Sequence, residues 1–400
     1  MAYQCLNKER KIYFKKDSAK ALSDITKLIF DFDGVLVQTS QSYRQTIRKI
    51  VDYYFLEILG LEGEKGRLAT LEDIQKFKDT GLYNNDWNLS YAIITYYLAI
   101  LMRKLQQKRI LQDFSNQFNN IQFSEVHSFL QTLGEVGDFL RRYGINATEL
   151  ANMKNDSALG LESFLAQASI KNQNPFETTL APILLKVGSD ELTLIRRLVP
   201  YDFEKPDLLK RLFEESYLGK GLFNKFYGIS SFFKFNESLL EKEAFIPTKK
   251  ALDVLRLKFG KFAIYSEKPR VQGTYLLEKN DFKEYFDEKM SIFLEDLVKS
   301  EVGGEGVRLG KPDPALFIEL IEKLVGKGSW VAYVGDVVAD ALLVENARLE
   351  GLSNLLFLGV LCSSHYPNNL LSQYIKHEAA AIMTDVNDIP DLLTSLGGKI

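Results

Sequence analysis

The sequence predicts an α/β protein: a doubly wound, mostly parallel sheet with an all-helical domain inserted after its first strand. Three observations carry that prediction. Short, unalternated apolar runs recur near the start and in the last third of the chain. Helical segments fall between the late runs. A long middle stretch shows helical periodicity and no convincing strand. Continuous apolar runs suit strands buried on both faces, as in a parallel sheet covered by helices. Their alternation with helices is the doubly wound pattern.

The first run is KLIFD, Lys27 to Asp31. The later ones are FAIYS (Phe262 to Ser266), WVAYVGD (Trp330 to Asp336), NLLFLGV (Asn354 to Val360) and AAIMTD (Ala380 to Asp385). Helices are predicted over Pro314 to Val325 and Asp340 to Arg348. In the middle, Tyr43, Ile47, Ile50, Val51, Tyr54, Phe55 and Ile58 recur at three- and four-residue spacing, one apolar face of a helix. Ser124 to Arg142, Glu191 to Leu198 and Pro206 to Tyr217 read the same way. The expected division is a core of residues 1–42 and 244–400 and a helical insertion of residues 43–243, with surplus length around 103–200.

Composition excludes several classes. With 46% hydrophobic and 26% charged residues, the 400-residue chain is an ordinary globular one, neither disordered nor collagen-like. A net charge of −3 predicts no nucleic-acid partner and no anionic membrane surface. Two cysteines, Cys5 and Cys362, provide no disulfide framework and no zinc spacing. The N-terminus MAYQCLNKERKIYFKK lacks the apolar core of a signal peptide. The longest apolar stretch, YAIITYYLAILM, falls short of the roughly 20 residues a spanning helix needs. A cytoplasmic setting is therefore expected.

Chemistry concentrates where strands are predicted to end. In DFDGV, Asp31 and Asp33 project to the same side of an extended strand. Both lie at its carboxyl end, where open α/β sheets bind ligands. Two carboxylates held this close need a shared proton or a cation. Ser266 places a hydroxyl at another strand end. Lys311, in GKPDP, precedes a proline-opened helix whose free amides favour phosphate. Asp336 ends a further strand, and Asp340 follows one helical turn later on the same face. Such a carboxylate pair suits magnesium, which prefers oxygen ligands. Each feature alone has a plainer reading: a polar turn, a solvated lysine, a helix cap. Their joint occurrence in this order does not.

These motifs resemble the haloacid dehalogenase (HAD) superfamily of phosphohydrolases and phosphotransferases, whose catalytic core is a Rossmann-like sheet. DFDGV matches its first motif, Ser266 the second, Lys311 in GKPDP the third, and GDVVAD with Asp336 and Asp340 the fourth. The placement of the insertion resembles the helical cap of the phosphoglycolate-phosphatase-like branch. FKDTGLYNNDWNLS and RLFEESYLG resemble a subfamily of that branch, some members of which are fused to histidine-biosynthesis enzymes. By that analogy alone, histidinol phosphate is a candidate substrate.

The resemblance implies a magnesium-dependent phosphatase that hydrolyses a small phosphorylated metabolite through an aspartyl-phosphate. Asp31 is then the nucleophile and Asp33 the acid/base. Ser266 and Lys311 cradle the phosphoryl oxygens. Mg2+ is held by Asp31, the backbone carbonyl of Asp33 and Asp336, while Asp340 orients a metal-bound water or Lys311. Dehalogenase members lack the second acid, so Asp33 argues against dehalogenation. Glu267 stands where the family often has a small residue or Asn. It still offers its backbone N–H to phosphate, but its carboxylate must point away or meet Lys268 or Arg270.

In the insertion, Asn84, Asn85, Asp86 and Trp87 are the expected substrate contacts, with helix capping by Asn85 or Asp86 as the plainer reading. Lys78 and Arg44 are further basic residues suited to an anionic substrate, or simply solvated. A phosphomutase or phosphotransferase on the same scaffold is the alternative function, and a non-catalytic binding protein the third. The enlarged insertion would serve substrate choice or homo-oligomer formation.

Overall fold

The computed structural model describes residues 3–7, 10–39, 41–80, 83, 85–122, 125–155, 160–167, 188–200, 207–299, 307–308, 310–326, 328–364 and 366–397. The chain divides into two compact units, Met1–Ser40 with Glu243–Ile400, and Gln41–Lys242.

The first unit is built on a seven-stranded sheet. Its strands are β1 (Tyr3–Asn7), β2 (Ile12–Lys15), β3 (Ile25–Phe30), β6 (Ala263–Ile264), β9 (Trp330–Gly335), β10 (Leu355–Val360) and β11 (Ala381–Met383). They lie in the order β1-β2-β11-β10-β9-β3-β6. β11, β10, β9, β3 and β6 are all parallel, which is the predicted α/β, mostly parallel sheet. Strands β9 and β10 are buried almost throughout, because helices cover both faces and leave no solvated side to alternate with. Two short ribbons complete the strands: β4 (Val37–Gln38) with β5 (Ala244–Phe245), and β7 (Val298–Lys299) with β8 (Val307–Arg308).

The N-terminal hairpin escaped the sequence reading. β2 pairs antiparallel with β11, and β1 with β2, so β1 forms the edge of the sheet. Along β2, buried Ile12 and Phe14 alternate with half-buried Tyr13 and Lys15, as suits a strand covered more fully on one face.

Strand order locates the site. From β3 the chain adds β6 on one side, then returns to add β9, β10 and β11 in turn on the other. The direction of winding therefore reverses at β3 and β9, and the crevice beyond their carboxyl ends is where such sheets bind ligands. The two strands are in direct register, Phe30 opposite Val334. Asp31 continues the pairing through its N–H to the Val334 carbonyl at 2.9 Å.

The second unit contains only helices among its described residues. Its longest, Asp86–Gln107, is buried from Leu89 to Met102 on nearly every side. The apolar stretch YAIITYYLAILM is thus the centre of a helical core. Among the described residues, no helix is long and apolar enough to cross a membrane. The helix Leu208–Tyr227 breaks at Gly219, whose φ of 66° is left-handed. A Cβ there would lie 2.7 Å from the backbone of Glu237, so only glycine fits.

Candidate active site

Asp31 immediately follows β3 and is 6% exposed. Its Oδ1 accepts the N–H of Phe32 at 2.7 Å, and its Oδ2 meets Lys311 Nζ at 2.7 Å. Lys311 also reaches Asp340 Oδ1 at 2.8 Å. Asp340 is fully buried in the first turn of the helix Val338–Leu349. Its Oδ2 accepts the N–H groups of Asp336 and Val337 at 3.0 and 3.1 Å, closing the turn after β9. Tyr333 OH stands 3.1 Å from Asp340 Oδ1.

Asp31, Asp336 and Asp340 each present a carboxylate oxygen within 4.8 Å of the others. Gly34, left-handed at φ 74°, brings the turn after β3 directly under Asp336: a Cβ there would sit 1.9 Å from Asp336 Oδ2. Close approach and positive φ both demand glycine at this point.

Electrostatics show what the cluster lacks. Burial pushes the Asp31 carboxyl up to about 7, opposed by Lys311 and reinforced by Asp340 and Asp33. Burial also raises Asp336 well above the ordinary carboxylate range, with Asp340 and Asp31 adding to it and the Ser363 hydroxyl and Lys311 opposing. Burial would lower Lys311, but Asp31 and Asp340 facing it raise it above its usual value. One ammonium among the buried carboxylates of Asp31 and Asp340 and the half-buried one of Asp336 leaves negative charge unmatched. Oxygen-only donors around such an excess fit a hard divalent cation.

Ser266, two residues beyond β6, is buried, and its Oγ accepts the Lys268 N–H at 3.3 Å. Glu267 takes a partner beyond the two that the sequence suggested: its Oε1 accepts the backbone N–H of Lys311 at 3.0 Å. The second and third motifs are thereby tied together. Arg270 instead pairs with Asp296. The Asp33 carboxylate stands outside the three-acid cluster and pairs with Lys268 Nζ at 2.8 Å.

In the helical unit, Asn85 caps the helix Asp86–Gln107, its Oδ1 accepting from the N–H groups of Trp87 and Asn88. Asp86 pairs with Lys78 at 2.8 Å, and Trp87 Nε1 donates to Glu214 Oε1 at 3.2 Å. Asn84 lies outside the described residues.

Three residues of the site were not assigned from sequence. Ser363, in the turn after β10, donates from Oγ to Asp336 Oδ2 at 2.6 Å. Lys268 and Glu243 form a buried ion pair at 3.2 Å beside Asp33. The available signal for Ser363 was its place just past a strand end. Nothing local marked Glu243.

The family model described as haloacid dehalogenase-like hydrolase matches residues 27–348. A structural-genomics target solved by X-ray crystallography superposes with a TM-score of 0.63 at 16% identity, covering 93% of this chain and 99% of that one, a likeness of fold alone. A HAD family hydrolase from Deinococcus radiodurans R1, solved with bound phosphate and sodium, aligns over 94% of this chain and 97% of its own at 14% identity; its TM-score of 0.39 carries no argument. Over 72 residues the chain is 35% identical to imidazoleglycerol-phosphate dehydratase from Phytophthora nicotianae, a match to 18% of this chain and 14% of that protein.

Proposed function

The chain belongs to the haloacid dehalogenase-like hydrolase family, and from that premise we propose that it is a magnesium-dependent phosphatase acting on a small phosphorylated metabolite. The observation that supports this most is the buried Asp31 carboxylate, held by Lys311 and clustered with Asp336 and Asp340 at the winding reversal of the sheet.

In this reading an oxygen of Asp31 attacks phosphorus, the new O–P bond forms, and the bond to the leaving oxygen breaks. Splitting the displacement through a covalent aspartyl-phosphate replaces one difficult step with two easier ones. Asp33 gives its proton to the departing oxygen. It then takes a proton from the water that attacks the aspartyl-phosphate, releasing phosphate and restoring Asp31. Such proton transfer typically contributes about 10²–10⁴ in rate. Lys311 and Ser266 hold the equatorial oxygens, where transition-state charge spreads. Asp31, Asp336 and the backbone carbonyl of Asp33 would hold Mg2+, and Asp340 would orient Lys311; the ion supplies screening between carboxylate and phosphate. For Asn85, Asp86 and Trp87 we keep substrate contact as the assignment to be tested.

The substrate class is a phosphate monoester of low molecular weight. A release assay over a metabolite panel that includes imidazole-bearing phosphates identifies it. Turnover of an aryl phosphate in Mg2+, lost in EDTA and reduced at least about 10³-fold by Asp31→Asn, is the expected outcome. If the Asp31→Asn variant retained most of the activity, the nucleophile assignment would be contradicted.

A further inference from the structure

Among the described residues, Lys268 is the lysine whose side chain is wholly enclosed between two carboxylates beside the site. Its side chain is 0% exposed; Nζ lies 2.8 Å from Asp33 Oδ1 and 3.2 Å from Glu243 Oε2. The Glu243 side chain is equally enclosed, whereas that of Asp33 is 27% exposed. A buried ammonium needs a partner that stays with it, because an unpaired charge in a dry interior is costly. Glu243, sealed from solvent, fills that need permanently. Asp33 is the member of the trio that a substrate can reach.

The surroundings hold Lys268 still. Its backbone N–H bonds to Ser266 Oγ, and its carbonyl accepts from the Leu294 N–H at 3.1 Å. The ammonium stands 5.6 Å above the Phe32 ring. Glu243 directly precedes β5, which pairs with β4, and Gly34 N–H closes the turn between Asp33 and β4 by bonding to the Val37 carbonyl at 2.8 Å. The segments that carry Asp33 and Glu243 thus meet at the Lys268 ammonium.

We propose that Lys268, neutralised by Glu243, is a positioning residue for Asp33: it fixes the carboxylate that exchanges a proton with the leaving oxygen. The inference rests on the phosphatase reading and adds to it a pair of residues with no contact to the phosphoryl group. A carboxylate that drifts loses little when the leaving group departs unaided and much when it must be protonated.

The test is the dependence of kcat/KM, which reports transfer to Asp31 and not the later hydrolysis, on the leaving group, measured with Mg2+ on a series from 2,4-dinitrophenyl phosphate to phenyl phosphate. Wild type is compared with K268R, E243Q and the double variant K268M/E243Q, which strands no buried charge. Circular dichroism and melting curves report folding. The proposal expects the double variant to lose roughly 10²-fold in kcat/KM on phenyl phosphate and less than about threefold on the dinitrophenyl ester, with K268R restoring part of the loss. If the double variant does not fold, K268R and E243Q carry the same comparison. An equal loss on both esters, or none on phenyl phosphate, overturns it. A wild-type enzyme that turns over neither ester overturns the phosphatase reading beneath it, a distinguishable result.

Discussion

Ser363 illustrates what a single hydroxyl does in this site. Its bond to Asp336 Oδ2 aims that carboxylate and opposes the effect of burial on it. Side chains that orient metal ligands typically matter by a factor of about 10–100 in affinity. Ser363→Ala is therefore expected to weaken Mg2+ binding roughly tenfold, read from the Mg2+ dependence of turnover, with kcat at saturating metal little changed. The acids and Lys311 were legible in the sequence because each follows a strand or opens a helix, at fixed spacing in DFDGV, GKPDP and GDVVAD. Ser363 was not, since its bond depends on β10 lying beside β9. Lys268 was read only as a counter-charge for Glu267. In the structure its ammonium meets Asp33 and Glu243.

Strands were legible in full where they lie between two others inside the sheet. KLIFD, WVAYVGD and NLLFLGV became β3, β9 and β10, since strands inside a covered sheet must be apolar throughout. FAIYS shortened to Ala263–Ile264 at the sheet edge, its flanks making only single bridges to Phe286 and Ile292. The helix expected from Pro206 to Tyr217 runs instead over Leu208–Tyr227, because the apolar pattern resumes beyond the Gly219 break. Glu215 on this helix is buried, and it accepts the N–H groups of Phe232 and Phe233. Part of the RLFEESYLG segment therefore has a structural duty independent of any ligand.

Asn85 is the element-scale test. Its cap satisfies two free N–H groups of the helix Asp86–Gln107. Asn85→Ala should cost about 1 kcal/mol, measured by urea unfolding. A rise in KM for the metabolite, beyond the loss of stability, would show that the side chain also meets substrate. An unchanged KM would confine it to capping.

At the scale of the whole molecule, the buried acids link stability to pH and metal. The Asp31 carboxyl sits at about 7 in the folded chain against an ordinary value of 3.8, and Asp336 is shifted the same way. Between those values the folded protein holds protons that the unfolded chain releases. Stability without metal therefore falls as pH rises through that window. In the proposed reading Mg2+ would bind the deprotonated carboxylates, so its stabilising effect would grow over the same range. Melting temperatures in EDTA should drop between about pH 4 and about pH 7, and added Mg2+ should raise them more at the upper end. A metal effect independent of pH would contradict the assignment of these carboxylates as ligands.

The central claim is that Asp31 carries the phosphoryl group. Acid-quenching the enzyme during turnover of a phosphate ester in Mg2+, then mapping the modified peptide, tests it most directly. The phosphoryl group should be found on Asp31, discharged by water on further incubation and absent from Asp31→Asn. A turning-over enzyme with no phosphoenzyme, or one labelled at another residue, would contradict the account.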